Sequence, residues 1–149
     1  RVGDNEGSAE GADVLDVPEN YYTDPEQARQ FVAETGVDAL AIAVGNAHGA
    51  YKFPPKLDFD RIDAIADAVP VPLVLHGGSG IGDDDFRTAI RKGIAKVNIF
   101  TDLSLAGGKA AAAAYADGRG LADMVLPAVE AVKQAAAEKI RLFGAAGKA

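Results

Sequence analysis

Val71-Pro72-Leu73-Val74-Leu75-His76-Gly77-Gly78-Ser79-Gly80 is a short apolar run that ends in a histidine and passes at once into a glycine-rich turn. Asp83 to Asp85 follow and open a helix. A buried strand with a polar residue at its C-terminal tip, then a loop of exposed backbone N–H groups, is how α/β folds build anion sites. A second strand ends in the same way, in Val44-Gly45-Asn46-Ala47-His48-Gly49. These are the only two histidines in the chain.

Outward from that stretch the chain alternates helix and strand. Residues 1–22 carry Gly, Asp, Glu and Asn without a sustained period and read as a loop, one long enough for a compact domain to use as a lid. Thr23-Asp24-Pro25-Glu26 has the spacing of a capping box, with Thr23 as cap and Glu26 reaching back. Ala28, Phe31 and Val32 give the buried stripe of that helix, and Gly36 ends it. Val37 to Val44 is nearly all apolar, as a strand covered on both faces should be. After Pro54-Pro55, Asp58 caps a helix with Ile62, Ile65, Ala66 and Val69 inward. Pro70 stops it, and the strand 71–75 follows. The next helix turns Phe86 and Ile90 inward and stops at Gly93. Strand 95–99 leads to Phe100-Thr101-Asp102, where Thr101 or Asp102 caps a helix running through the alanines 110–114. Gly118 and Gly120 break that run. A last helix, Leu121 to Leu142, sets Val125, Val129, Val132, Ala136 and Ile140 on one face, with Pro127 arguing for a later start. The tail 143–149 is small and flexible in composition.

Repeated αβ units with short connections imply a parallel sheet. Three strands alone leave both sheet edges open, and a (β/α)₈ barrel typically needs ~250 residues. The 149 residues therefore read as one domain's C-terminal half: the last three strands of a TIM barrel with their helices. An open doubly wound sheet is the structural alternative. Arg1 in place of Met reads as sequence missing upstream.

Bulk composition narrows the partners. A net charge of −7 gives no global attraction for nucleic acid or an anionic membrane, so any phosphate must be bound locally. The absence of cysteine excludes disulfides and thiolate metal sites and fits a cytoplasmic protein. No apolar run approaches the ~20 residues of a membrane span, and no signal peptide is visible.

His48 and His76 each follow a strand at its C-terminal end, the face on which barrel active sites lie. Two imidazoles there suit a zinc-type cation; the plainer alternative is that each bonds a loop carbonyl. A catalytic zinc takes three protein ligands, so the chain's two histidines leave the set incomplete. Gly77-Gly78-Ser79-Gly80 offers a backbone nest and one hydroxyl for phosphate, or is simply a strand-to-helix turn. Asn98 ends the next strand, and Thr101 stands at a helix N-terminus, which favours an anion. Lys52 and Lys96 could touch phosphate but read first as solvated lysines, and Tyr21, Tyr22 and Tyr51 read as packing residues. Glu6 and Glu10 are candidates for a mobile base in the leading loop. No Walker loop, Ser/His/Asp set or basic aromatic patch is present.

Together, Gly45-Asn46-Ala47-His48-Gly49-Ala50-Tyr51-Lys52, Leu73 to Gly80 and Lys96-Val97-Asn98-Ile99-Phe100-Thr101-Asp102 resemble the class II, metal-dependent fructose- and tagatose-bisphosphate aldolases. The tail from Lys139 onward is similar to that family's C-terminus, and the resemblance is greatest to its shorter, tagatose-type branch. It implies a TIM barrel entered just after the fifth strand, with His48 and His76 as two ligands of Zn²⁺ or another divalent cation. It implies that Gly49, Gly77, Gly78, Ser79, Asn98, Ile99, Phe100 and Thr101 hold the dihydroxyacetone-phosphate part of the substrate, with Na⁺ or K⁺ assisting at the Gly-Ser loop. The third zinc histidine and the catalytic aspartate have no match here, so no catalytic residue is assigned and 149 residues alone are expected to be inactive. Residues 1–22 correspond to the mobile active-site loop. Phe100 departs from the pattern, because many fructose-bisphosphate members carry an acid there, and this bears on substrate choice. The implied reaction is aldol cleavage or condensation of a ketose 1,6-bisphosphate by a cytoplasmic homo-oligomer, dimer or tetramer. Alternatives are a non-catalytic barrel partner subunit or another phosphate-binding barrel enzyme such as an epimerase.

Overall fold

The structure is a computed structural model and describes residues 22–46, 55–116 and 119–148. The expectations for residues 1–21 (Glu6, Glu10 and Tyr21 among them), for His48, Gly49, Tyr51 and Lys52, and for Gly118 lie outside the described residues. The chain forms two compact units, Arg1–Ile99 and Phe100–Ala149.

The first unit begins with α1 (Pro25–Thr35). Its cap is Asp24, not Thr23: the Asp24 carboxylate accepts from Glu26 N at 3.0 Å and Gln27 N at 2.9 Å. Proline is at home in the first helical position and pushes the residue before it into extended backbone, so the cap falls on Asp24. Thr23 is used elsewhere. Its N–H donates to Ala43 O at 2.8 Å, and its Oγ1 accepts from Ala43 N at 2.9 Å. Glu26 pairs with Arg29 instead of reaching back. Ala28 and Val32, one turn apart, are buried. Phe31 falls beside that line and stays 49% exposed, contrary to the expected stripe.

Three parallel strands follow: β1 (Leu40–Ile42), β2 (Leu73–Leu75) and β3 (Ile94–Val97), in the order β1-β2-β3. β1 and β2 are shorter than their apolar runs, and β3 starts one residue before and ends two residues before the expected strand 95–99. β2 starts at Leu73 because Pro72 has no N–H for a ladder; its carbonyl still accepts from Leu40 N at 3.0 Å. β2 is central and buried at all three positions, which is why its sequence is wholly apolar. The β2–β3 register slips by one residue between Leu73 and Val74, so that Val74 faces Lys96 and Leu75 faces Val97. Such a bulge re-aims the side chains beyond it. Asn98 continues the ladder one step, its N–H donating to Leu75 O at 2.9 Å.

α2 (Phe59–Ala68) is capped by Asp58, whose Oδ1 accepts from Arg61 N at 2.9 Å. Ile62, Ile65 and Val69 are buried as expected; Ala66 is half-buried. Val69 is extended, as a residue before proline must be, and the helix stops there. α3 (Asp83–Arg91) buries Phe86 and Ala89, while Ile90 is only half-buried. The core of this unit is therefore Ile42, Val44, Ile62, Ile65, Leu73, Leu75 and Phe86.

The second unit pairs α4 (Thr101–Ala114) with α5 (Leu121–Leu142). Neither Thr101 nor Asp102 caps α4. The cap position is Phe100, without a side-chain bond, and Asp102 instead pairs with Lys139 at 3.0 Å. α5 starts at Leu121 despite Pro127, with Asp123 accepting from Gly120 N at 2.9 Å. Val132 packs against Gly107 of α4. Two helices cover only one line of α5, so Val125, Val129 and Ile140 remain exposed, with Val129 at 58%. No helix among the described residues is long and apolar enough to cross a membrane.

Two outcomes follow for the full-length protein. Phe86→Ala removes a fully buried ring and should cost about 3–5 kcal/mol in denaturant unfolding. Burial pushes the Asp58 carboxyl up, but the Arg61 N–H, guanidinium and charge outweigh it and hold the group below its ordinary value. Its contribution is thus present above the ordinary carboxylate range near pH 4 and lost as pH falls through the lowered value. Asp58→Asn keeps the cap acceptor but loses the ion pair. It should be less stable by about 0.2–1 kcal/mol at pH 7, and the gap should close below about pH 4.

Candidate active site

The site is a consequence of parallel pairing, which brings the C-terminal ends of β1, β2 and β3 side by side. His76 is the first residue past β2 and is half-buried. Asn46 lies beyond β1 and Asn98 beyond β3, one on each side of it.

Asn46 reaches its position because the chain bends at Gly45. There φ is 96°, and a β-carbon would fall on the Lys56 carbonyl oxygen, so only glycine fits. Asn46 Oδ1 accepts from Val44 N at 2.8 Å, and its Nδ2 donates to His76 O at 3.1 Å and to Ile42 O at 3.4 Å. On the other side, Asn98 Nδ2 lies 3.3 Å from Nδ1 and 3.1 Å from Nε2 of His76. The two ring nitrogens flank Cε1. An atom almost equidistant from both, and not colliding with that carbon, lies over the ring face. Asn98 Nδ2 therefore sits over the π face rather than in the ring plane, where the lone pair of the unprotonated nitrogen lies. Lys96 fixes the amide's direction: an ammonium only donates, it bonds Asn98 Oδ1, and so the NH₂ group faces the ring.

The glycine-rich turn is fastened to the same place. Gly78 N donates to Asn98 O at 3.1 Å, and Ile81 N to Gly78 O at 3.4 Å. A β-carbon at Gly78 would stand 2.8 Å from Ile99 Cδ1 and 2.9 Å from Val97 Cγ1, so the turn lies directly on the end of β3. Ser79 is buried, the polar residue so placed among the described residues. Its burial and that of Gly78 put the turn's backbone inside the strand-end cluster.

Of the residues expected at a site, the structure gathers His76, Gly77, Gly78, Ser79, Asn98 and Ile99 at the ends of β2 and β3, Ile99 serving as apolar floor. Phe100 and Thr101 belong to the second unit, at the start of α4; Phe100 is 78% exposed. From the sequence no site role is expected for Asn46, and for Lys96 only a phosphate contact as the alternative to a solvated lysine. Asn46 was legible as a polar residue between a glycine and a histidine at a strand end. Lys96 was legible as lying two residues before Asn98, on the same side of a strand. For a metal, His76 supplies a nitrogen donor of the kind zinc takes, the in-plane lone pair of its unprotonated nitrogen not being directed at Asn98. No group of three His, Cys, Asp or Glu able to hold a metal exists among the described residues. His76 fits one ligand position of a site that other residues must complete.

Comparison with known proteins bears on the family and the fold. The family model for class-II fructose-bisphosphate aldolase matches residues 1–148. An uncharacterized Escherichia coli (strain K12) protein, YdjI, is 50% identical over 131 residues, covering 87% of this chain and 46% of that one. The crystal structure of the YdjI aldolase superposes with a TM-score of 0.79 at 49% identity, over 86% of this chain and 48% of its own. A candidate fructose-1,6-biphosphate aldolase from Coccidioides immitis gives a TM-score of 0.78 at 32% identity, over 85% and 45%. The chain thus spans about half the length of the relatives it matches. The three parallel strands and their helices are the expected part of a (β/α)₈ barrel rather than an open doubly wound sheet. On the family match over nearly its whole length, and on close relatives in sequence and structure, the chain belongs to the class-II fructose-bisphosphate aldolase family.

Proposed function

We propose that the chain is the C-terminal half of a barrel that cleaves, and in reverse condenses, a ketose 1,6-bisphosphate to dihydroxyacetone phosphate and glyceraldehyde 3-phosphate. The observation that carries this reading is the direct succession, at the end of β2, of a half-buried imidazole and a buried glycine-serine turn tied to Asn98. A carbonyl and a phosphate on one small molecule need those two grips side by side.

In this reading His76, with His48, holds the divalent cation, zinc in the first instance. The chemistry the cation supplies when bound is Lewis-acid stabilisation of negative charge as the C3–C4 bond breaks. The chain's own residues do the rest. Asn98, directed by Lys96, keeps the His76 ring in one orientation without using the ring's in-plane lone pair. The backbone of Gly77 to Ser79 and the Ser79 hydroxyl grip the phosphate, with Na⁺ or K⁺ assisting. Gly78 acts through the shape of the turn, since its own N–H is engaged with Asn98 O. Gly49, Asn98 and Ile99 line the same substrate, and Phe100 and Thr101 add to phosphate binding. That binding fixes orientation, so remote binding energy goes into presenting the scissile bond. No residue of this chain is assigned the catalytic acid/base role, which the family resemblance gives to an aspartate of the upstream half. The enzyme works as a cytoplasmic homo-oligomer.

The test is cleavage of fructose and tagatose bisphosphates by the full-length protein, before and after chelation. Chelation should abolish turnover and zinc should restore it; chelator-insensitive cleavage would sink the metal reading. Gly78→Ala forces the turn off Ile99 and Val97. It should raise KM for the bisphosphate about tenfold or more, in line with loss of a positioning contact.

A further inference from the structure

We propose that Asn46 is a positioning residue for His76, locking the end of β1 to the His76 backbone and so setting where the imidazole stands. The inference rests on the reading of His76 as a metal ligand and adds to it a residue that touches neither metal nor substrate.

The amide of Asn46 has only one workable orientation. Its oxygen meets the Val44 N–H at 2.8 Å, and its NH₂ group meets two carbonyl oxygens, His76 O at 3.1 Å and Ile42 O at 3.4 Å. Turned over, it would set donor against donor and acceptor against acceptors. The backbone register of β1 and β2 ends at Ile42 and Leu75. One step further, both backbone groups of Ala43 are bonded to Thr23. The His76 carbonyl is taken by the Asn46 side chain, which extends the β1–β2 connection past the last paired residues. His76 is thus gripped through its backbone from the β1 side and over its ring face from the β3 side. A carboxylate of the same size cannot replace the amide, because its second oxygen would face two carbonyl oxygens. A residue that orients a ligand affects metal affinity even though it does not touch the metal.

The experiment uses the full-length protein stripped of metal and titrated with zinc against a chromophoric chelator, with thermal melting as a folding control. His76→Ala, Asn46→Asp, Asn46→Ser and the two double variants are compared. Asn46→Ser keeps a hydroxyl near the Val44 N–H but is too short to reach His76, and it decides alone should the aspartate variant not fold. Each Asn46 variant is expected to weaken zinc binding about tenfold in the wild-type background and to add nothing once His76 is alanine. If His76→Ala leaves zinc affinity unchanged, the metal reading itself fails. If His76→Ala weakens zinc but folded Asn46 variants bind it as wild type does, the positioning role fails. Equal losses in both backgrounds would make Asn46 a general structural residue and overturn the proposal as well.

Discussion

Everything in the first unit depends on β2 being paired on both sides. Three residues, all buried, hold ladders to β1 and β3, and the side-by-side strand ends are the only reason that residues 46, 76 and 98 meet. Parallel pairing also forces each crossover through a helix, so α2 and α3 are required by the sheet as much as they cover it. The buried faces of those helices, Ile62 and Ile65 on α2 and Phe86 and Ala89 on α3, supply the apolar area that keeps so short a sheet together.

Polar atoms then finish what the ladders begin. The strands are too short to order their own tips, and a side-chain amide, a hydroxyl and backbone groups of the adjoining loops take over where ladder pairing stops. Thr23 closes Ala43, Asn46 closes His76, and Asn98 carries the turn at Gly78. Half-buried backbone groups left open here would each cost about 1–3 kcal/mol, so this satisfaction is a condition of the fold as well as of the site.

The alternation of helix and strand, the parallel sheet and the importance of the β2 stretch were all legible, because apolar runs bounded by Pro, Gly and Asp leave few other arrangements. Cap positions were less so. Thr23 and Asp24 are both good caps, and only the constraint from Pro25 decides between them. Strand ends were overdrawn, since apolarity continues past the point where Pro72 or the Thr23 bonds end the ladder. The stripes on α1 and α5 were read wider than the covered lines, as periodicity gives a face but not what lies against it. At the site, His76 and its turn were visible as a motif. The roles of Asn46 and Lys96 were not, because each acts through a partner 30 or 2 residues away whose atoms must be placed before the bond exists.

The two halves of the strand-end cluster differ in how far apart they lie along the chain. β2 reaches β3 through the nine residues of α3 and short turns, whereas β1 reaches β2 across a longer connection that includes residues 47–54. The entropy lost in closing a loop grows with its length. Joining β2 to β3 is the cheaper event, and it brings His76, Gly78 and Asn98 together with it. The Asn46 bond can form only after the longer closure, so the side of the cluster that orients the ring assembles more readily than the side that holds its backbone. A sequence change that lengthens the β1–β2 connection would act on the second half first, through the β1–β2 pairing.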